Sequence, residues 1–183
     1  MPEHVILVDD SDRPLATCEK LEAHELGLLH RALSVFVFDT RGRMLLQRRA
    51  QGKYHAGGLW SNTCCTHPRP GEPTEAAAHR RLREEMGFGC ALAEHFSFTY
   101  RIALDNNLIE HEYDHVFTGR YDGDPSPNAE EVAGWRWVDP HWLDKDLKLR
   151  PRVYTPWLGF ALDGLRGGRP ATAAATRSIS TPR

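Results

Sequence analysis

No apolar run in these 183 residues approaches the roughly 20 needed to span a bilayer, and the opening MPEHVILVDD lacks the basic and apolar regions of a signal peptide. A cytoplasmic protein with no membrane partner is therefore expected. An excess of one charge is also missing. The 23 basic and 25 acidic residues leave a formal net charge of −2, so no global field draws the chain to nucleic acid or to an anionic surface. Any anionic ligand must be held by local clusters. Cysteine is scarce. Cys18, Cys64, Cys65 and Cys90 follow no disulfide spacing and two are adjacent, which fits free thiols in a reducing compartment. Internal repeats are absent, and the length suits one domain with a sizeable core. We expect that domain over residues 1–166, followed at 167–183 by a disordered tail, GGRPATAAATRSISTPR, which is small and polar with no period.

Within the domain, VILV (5–8) reads as a short strand ended by the turn-forming DDSDRP. CEKLEAHELGLLH (18–30) has helix formers interrupted by Gly27. His24 and His30 would be roughly 240° apart on an unbroken helix, so they can serve one site only if the helix breaks between them. LSVFVFD (33–39) and MLLQRR (44–49) read as a hairpin across TRGR. AQGKYHAGG (50–58) is a Gly-rich loop carrying Lys53, after which LWSNTCC returns to an extended state. A helix is predicted over 74–86, with Ala78, Leu82 and Met86 along one face and Gly87 as its C-terminal cap. EHFSFTYRIAL (94–104) alternates, with Phe96, Phe98, Tyr100, Ile102 and Leu104 on one face, and pairs across DNN with LIEHEYDHVF. GWRWVD makes a further strand, PHWLDKD a short helix, and Thr155-Pro156 opens a last helix. These elements give an α/β (α+β) domain in which a mixed, largely antiparallel sheet lies between helices. The two hairpins argue against a doubly wound parallel fold.

The chemistry concentrates in two extended stretches. In SNTCCTHP (61–68), Cys65 and His67 lie two residues apart and share a strand face, while Cys64 points the other way into packing. Glu110 and Glu112 repeat that spacing, on the face that also carries Asp114 and Val116 and opposite His111 and His115. Carboxylates on a buried face are costly unless paired or metal-bound. With His24, His30 and His67 they would suit Zn²⁺, Mn²⁺ or Mg²⁺. With ten histidines in the chain, each one alone is a weak signal. Lys20, Arg49, Lys53 and Arg81 form a loose basic set, and Trp157 reads first as a core aromatic. Cys65 is equally readable as a small core residue or as a functional thiol. In an open pocket beside cations it should alkylate faster than a buried thiol.

Residues 66–88, THPRPGEPTEAAAHRRLREEMGF, resemble the Nudix box, with Glu72, Arg80, Leu82, Glu84, Glu85, Gly87 and Phe88 on matching positions. Thr66 stands in place of the first glycine. Arg81 replaces a glutamate with which Nudix hydrolases bind the metal for diphosphate cleavage. Taken with CEKLEAH and His30, RRAQGK, GLWSNTCCTHP, FTYR, IEHEYDHVF and TPW, the chain resembles type I isopentenyl-diphosphate isomerase over roughly residues 4–165. A Nudix-like fold is then implied, and a small prenyl diphosphate as substrate. By the resemblance, Cys65 and Glu112 are the catalytic pair, Tyr100 hydrogen-bonds near the glutamate, and Trp157 turns its π face to a developing carbocation, worth roughly 2 kcal/mol or more when desolvated. His24, His30, His67, Glu110 and Glu112 hold one divalent ion. Glu85 faces a second, Mg²⁺, that enters with the substrate, and Lys20, Arg49, Lys53 and Arg81 grip the diphosphate. A Nudix diphosphate hydrolase is the alternative. A monomer is the expected state and a dimer its alternative.

Overall fold

The structure is a computed structural model describing residues 2–104, 106–167 and 173–174. The strands are β1 (His4–Val8), β2 (Pro14–Glu19), β3 (His30–Phe38), β4 (Met44–Arg49), β5 (Trp60–Ser61), β6 (Cys64–Thr66), β7 (Leu92–Ala103), β8 (Ile109–Arg120), β9 (Val132–Val138) and β10 (Ala173–Ala174). The helices are α1 (Lys20–Leu26), α2 (Thr74–Met86), α3 (Pro140–Leu149) and α4 (Leu158–Leu165). The strands form one sheet whose main path runs β10-β7-β8-β3-β1-β2, with β4 and β6 paired to β3, and β5 and β9 paired to β4. β7 and β8 pair antiparallel, as expected, with a bulge between Glu94 and Phe96. β3 and β8 run parallel from His30↔Glu112 to Phe38↔Arg120. Nothing in the local pattern of either strand announces that pairing.

Alternation sorts the sheet into two faces. Leu33, Val35, Val37, Leu45, Cys64 and Phe117 pack with Ala78, Leu82 and Met86 of α2. On the other face Phe36, Leu46, Phe98, Ile102 and Val116 pack with Leu143 of α3 and Leu158 and Leu162 of α4. The sheet therefore lies between helices, and burying each large apolar side chain contributes about 1.5–3 kcal/mol. Helix α2 ends where predicted. Gly87 is left-handed at φ 73 with its N–H on Arg83 O, and a Cβ there would collide with the Ser126 carbonyl.

Three expectations need correction. The expected helix over 18–30 is a strand, then a short helix, then a strand. Residues 14–19 pair with β1, and α1 stops at Gly27, φ 62, whose N–H returns to Ala23 O. A Cβ at Gly27 would press on Ile109 at 3.0 Å, so this site demands glycine twice over. The hairpin over 33–49 is paired only at Phe38↔Met44. Beyond that point the arms splay because SNTCC enters the fork. Thr63 Oγ1 accepts from Val37 N–H at 2.9 Å and donates to Leu45 O at 2.8 Å, β6 pairs with β3, and β5 pairs with β4. The last helix begins at Leu158, so Trp157 is its cap rather than an interior residue. Most of the expected tail lies outside the described residues. Its Ala173–Ala174 pairs in parallel with Tyr100 and Arg101 of β7, through backbone groups that need no apolar period.

Candidate active site

Strand register sets out the site in a row. Tyr100 faces Glu112 across β7 and β8, and Glu112 faces His30 across β8 and β3. The break at Gly27 lets His24, in the last turn of α1, lie against His30, with ring centroids 4.7 Å apart. His24 Nδ1 donates to Lys20 O at 2.6 Å and His30 Nδ1 to Leu28 O at 2.8 Å. Each ring is thereby fixed with Nε2 facing inward, the backbone contact that orients a ligating imidazole. His67 Nε2 is 3.2 Å from His30 Nε2 and 2.8 Å from Glu112 Oε1, while His24 Nε2 is 3.2 Å from Glu110 Oε2. One ligand atom from each of His24, His30, His67 and Glu112 lies within 4.8 Å of every other, and a second such group joins His24, His55 and Glu110.

Electrostatics sharpen these roles. Burial disfavours the Glu112 carboxylate, yet His67, hydrogen-bonded to it at 2.8 Å, and His30, 3.7 Å away, hold it well below the usual carboxylate range. Glu110 is pushed up by burial and by the charge of Glu112, as is Asp114. Burial lowers His67 to about 3 and, with the charge of Arg49, His55 to about 3. Neutral His67 and ionised Glu112 are in the states that bind a metal; His24 differs, for burial lowers it but its contact with Glu110 raises it overall. Glu110 Oε2 is buried without a hydrogen-bond partner among the described residues, an orphaned acceptor that a bound cation would satisfy. The donor set fits a divalent ion held by nitrogen and oxygen.

Beside this cluster a cleft of about 980 Å³ is lined by Cys65, His67, Tyr100, Glu110, Glu112 and Trp157, and also by Lys20, Arg49, Lys53, Arg81 and Glu85. His24 and His30, fully buried, stand behind its wall. Tyr100 donates to Glu112 Oε2 at 2.5 Å. The Cys65 thiol donates to Asn62 Oδ1 at 2.9 Å. Asn62 is itself locked, because its Nδ2 donates to Val35 O at 3.2 Å and Cys64 O at 2.9 Å. Burial and the nearby Asp114 carboxylate push the Cys65 thiol up to about 12, so it stays protonated at neutral pH. The cationic neighbours that the sequence suggested would activate it are outweighed. Trp157 is buried beneath the Arg49 guanidinium, 5.5 Å from ring centroid to Cζ.

At the basic end, Arg81 pairs with Glu85 and Lys53 with Glu131, and Gln47 Nε2 donates to Glu85 Oε2 at 2.8 Å. Lys20 pairs with Glu3 at 2.8 Å and stands over the Tyr54 ring at 4.8 Å. Every candidate residue named from sequence lines the cleft or lies directly behind it, but Glu110 falls in the second group with His24 and His55 rather than with the other four expected ligands. Sequence reasoning missed His55, Asn62, Ser34, Tyr54 and Glu131. Asn62 and Ser34, which donates to Asp114 Oδ2 at 2.8 Å, sit on strands or turns already identified. His55 and Tyr54 lie in a loop without period, where the one available signal is their place between Lys53 and Cys65.

Residues 28–158 match the NUDIX domain family, so the class is that of a NUDIX-domain protein. A solved structure from Deinococcus radiodurans superposes with a TM-score of 0.74 at 18% identity, covering 88% of this chain and 98% of that one. The MutT protein of Methanosarcina mazei gives 0.61 at 16% identity, covering 76% and 94%. Identities this low establish the fold alone. Full-length relatives narrow the class. Isopentenyl-diphosphate Delta-isomerase 1 of Aromatoleum aromaticum is 55% identical over 163 residues, 89% of this chain and 92% of the relative. The Isopentenyl-diphosphate Delta-isomerase of Burkholderia multivorans is 52% identical over 170 residues, 93% and 96%. The chain belongs to the isopentenyl-diphosphate Delta-isomerase family.

Proposed function

We propose that the protein interconverts isopentenyl and dimethylallyl diphosphate by moving a proton onto one alkene carbon and another proton off a second. The observation that carries this reading is geometric: Cys65, whose thiol donates to Asn62 Oδ1 at 2.9 Å, and Glu112, hydrogen-bonded to Tyr100 and His67, line one cleft. A proton added to the terminal carbon of isopentenyl diphosphate leaves a tertiary carbocation, and loss of a proton from the carbon on its diphosphate side completes the shift of the double bond. One member of the pair delivers, the other removes, and the reverse reaction exchanges their parts. Tyr100, which donates to Glu112 Oε2, relays protons to and from that carboxylate. Trp157 presents to the cation a π face that stabilises it without attacking it.

Lys20, Arg49, Lys53 and Arg81 bind the diphosphate. Arg81, standing where the hydrolases keep a carboxylate, pairs with an anion rather than with a cation. His24, His30, His67, Glu110 and Glu112 would hold one divalent ion, Zn²⁺, Mn²⁺ or Mg²⁺, and Glu85 would face a Mg²⁺ that enters with the substrate. Bound there, the ions would neutralise carboxylate and diphosphate charge. Among the described residues no helix is long and apolar enough to cross a membrane. On this reading the enzyme is cytoplasmic and acts as a monomer, with a dimer as the alternative.

Incubation with isopentenyl diphosphate and Mg²⁺ in heavy water tests the proposal. Deuterium in recovered dimethylallyl diphosphate is the expected result. Unlabelled, unconverted substrate from fully metallated protein would overturn it, and release of phosphate or diphosphate would favour the hydrolase instead.

A further inference from the structure

His55 is a buried titratable side chain to which the reading above gives no part. It lies in the loop between β4 and β5, just before Ala56, whose φ is 51, and is 9% exposed. Its Nε2 stands 3.0 Å from Glu110 Oε1. Its Nδ1 is buried with no hydrogen-bond partner among the described residues, so the approach of Nε2 to Glu110 is the close carboxylate contact of this ring. Two features hold the ring there. Arg49 Nη2 donates to the His55 carbonyl at 3.2 Å, and the imidazole packs edge-on to Trp157 with centroids 5.6 Å apart.

The other oxygen of Glu110, Oε2, faces His24 Nε2 at 3.2 Å and has no hydrogen-bond partner among the described residues. A carboxylate turning freely about its last bond presents either oxygen to the histidine cluster. One gripped at Oε1 presents Oε2. Groups that orient a ligand in this way are worth about 10- to 100-fold in metal affinity.

We infer that His55 is a positioning residue of the metal site, donating Nε2–H to Glu110 Oε1 so that Oε2 is aimed at the ion. This rests on the reading that three histidines and two glutamates bind a divalent cation. The test is calorimetric titration of Mn²⁺ into the chelator-stripped full chain, with thermal melting as a check on folding. His55→Ala should bind about 10- to 100-fold more weakly than wild type. His55→Gln, which keeps a donor of similar reach and is the gentler change to the fold, should recover most of that loss. In a Glu110→Gln background, His55→Ala should cost nothing further, because the group it positions is gone. Wild-type affinity in His55→Ala would overturn the inference. So would equal losses in the Ala and Gln variants, which would mean direct ligation or packing. Absence of Mn²⁺ binding by wild type would instead bring down the underlying metal reading, so the two failures are distinguishable.

Discussion

Cys64 and Cys65 are neighbours in one three-residue strand, and they look onto different surroundings. Cys64 is fully buried among Leu82, Met86 and other apolar side chains beneath α2. Cys65 is partly exposed to the cleft and contacts Asn62, Ser34 and Ser61. Burial pushes both thiols up, so acidity is not what separates them. The difference is access to a ligand and a fixed acceptor that aims the S–H. The same holds for the faces of the sheet at large. Beneath α2 the sheet is filled by apolar side chains, whereas the opposite face is apolar near α4 and carries Glu110, Glu112 and Asp114 where β8 begins. Alternation along a strand, with its period of two, is enough to put stability on one side and chemistry on the other.

The comparison breaks most sharply at Glu112. Glu112→Gln should lower turnover by about 10⁴-fold or more, equivalent to about 5.5 kcal/mol of barrier, and weaken metal binding, as read by steady-state rates and metal analysis. His67→Asn should lower metal content and activity together, by about 10- to 100-fold in affinity. Full occupancy in that variant would place His67 outside the site. On the apolar face the effect moves to stability. Leu82→Ala should cost about 2–5 kcal/mol in denaturant unfolding while leaving turnover per folded molecule unchanged. The smallest effect is in alkylation. With its pKa raised rather than lowered, the Cys65 thiolate is scarce at neutral pH, so its labelling rate should still be climbing well above pH 9, where an ordinary cysteine of pKa about 8.5 levels off. Substrate should protect it, and mass mapping would find Cys64 labelled more slowly.

What was legible in the sequence follows from the range of the forces involved. Helix α2, its glycine cap and the β7–β8 hairpin are encoded by neighbours, through periodicity and a short turn. The site residues on β6, just after it and on β8 were legible for the same reason, since period-two spacing fixes the face on which Cys65, His67, Glu110 and Glu112 emerge. The splayed arms of β3 and β4 were not, because two good strands joined by a turn read as a hairpin whatever enters the fork. Only tertiary structure puts the Thr63 hydroxyl between Val37 and Leu45. β2 escaped because it is an edge strand with most of its residues exposed and has no alternation to detect. His55 escaped because its partner, Glu110, lies on a distant strand, and the loop between Ala50 and Gly58 has no period from which a direction could be read.

The central claim, that strand alternation gives the site its thiol and the core its neighbour, is tested most directly by isomerisation rates for Cys65→Ala and Cys64→Ala measured side by side on folded, metallated protein. The account predicts loss of turnover by about 10⁴-fold in Cys65→Ala, with near-normal turnover and about 1 kcal/mol of lost stability in Cys64→Ala. Near-normal turnover in Cys65→Ala, with activity lost in Cys64→Ala, would contradict it.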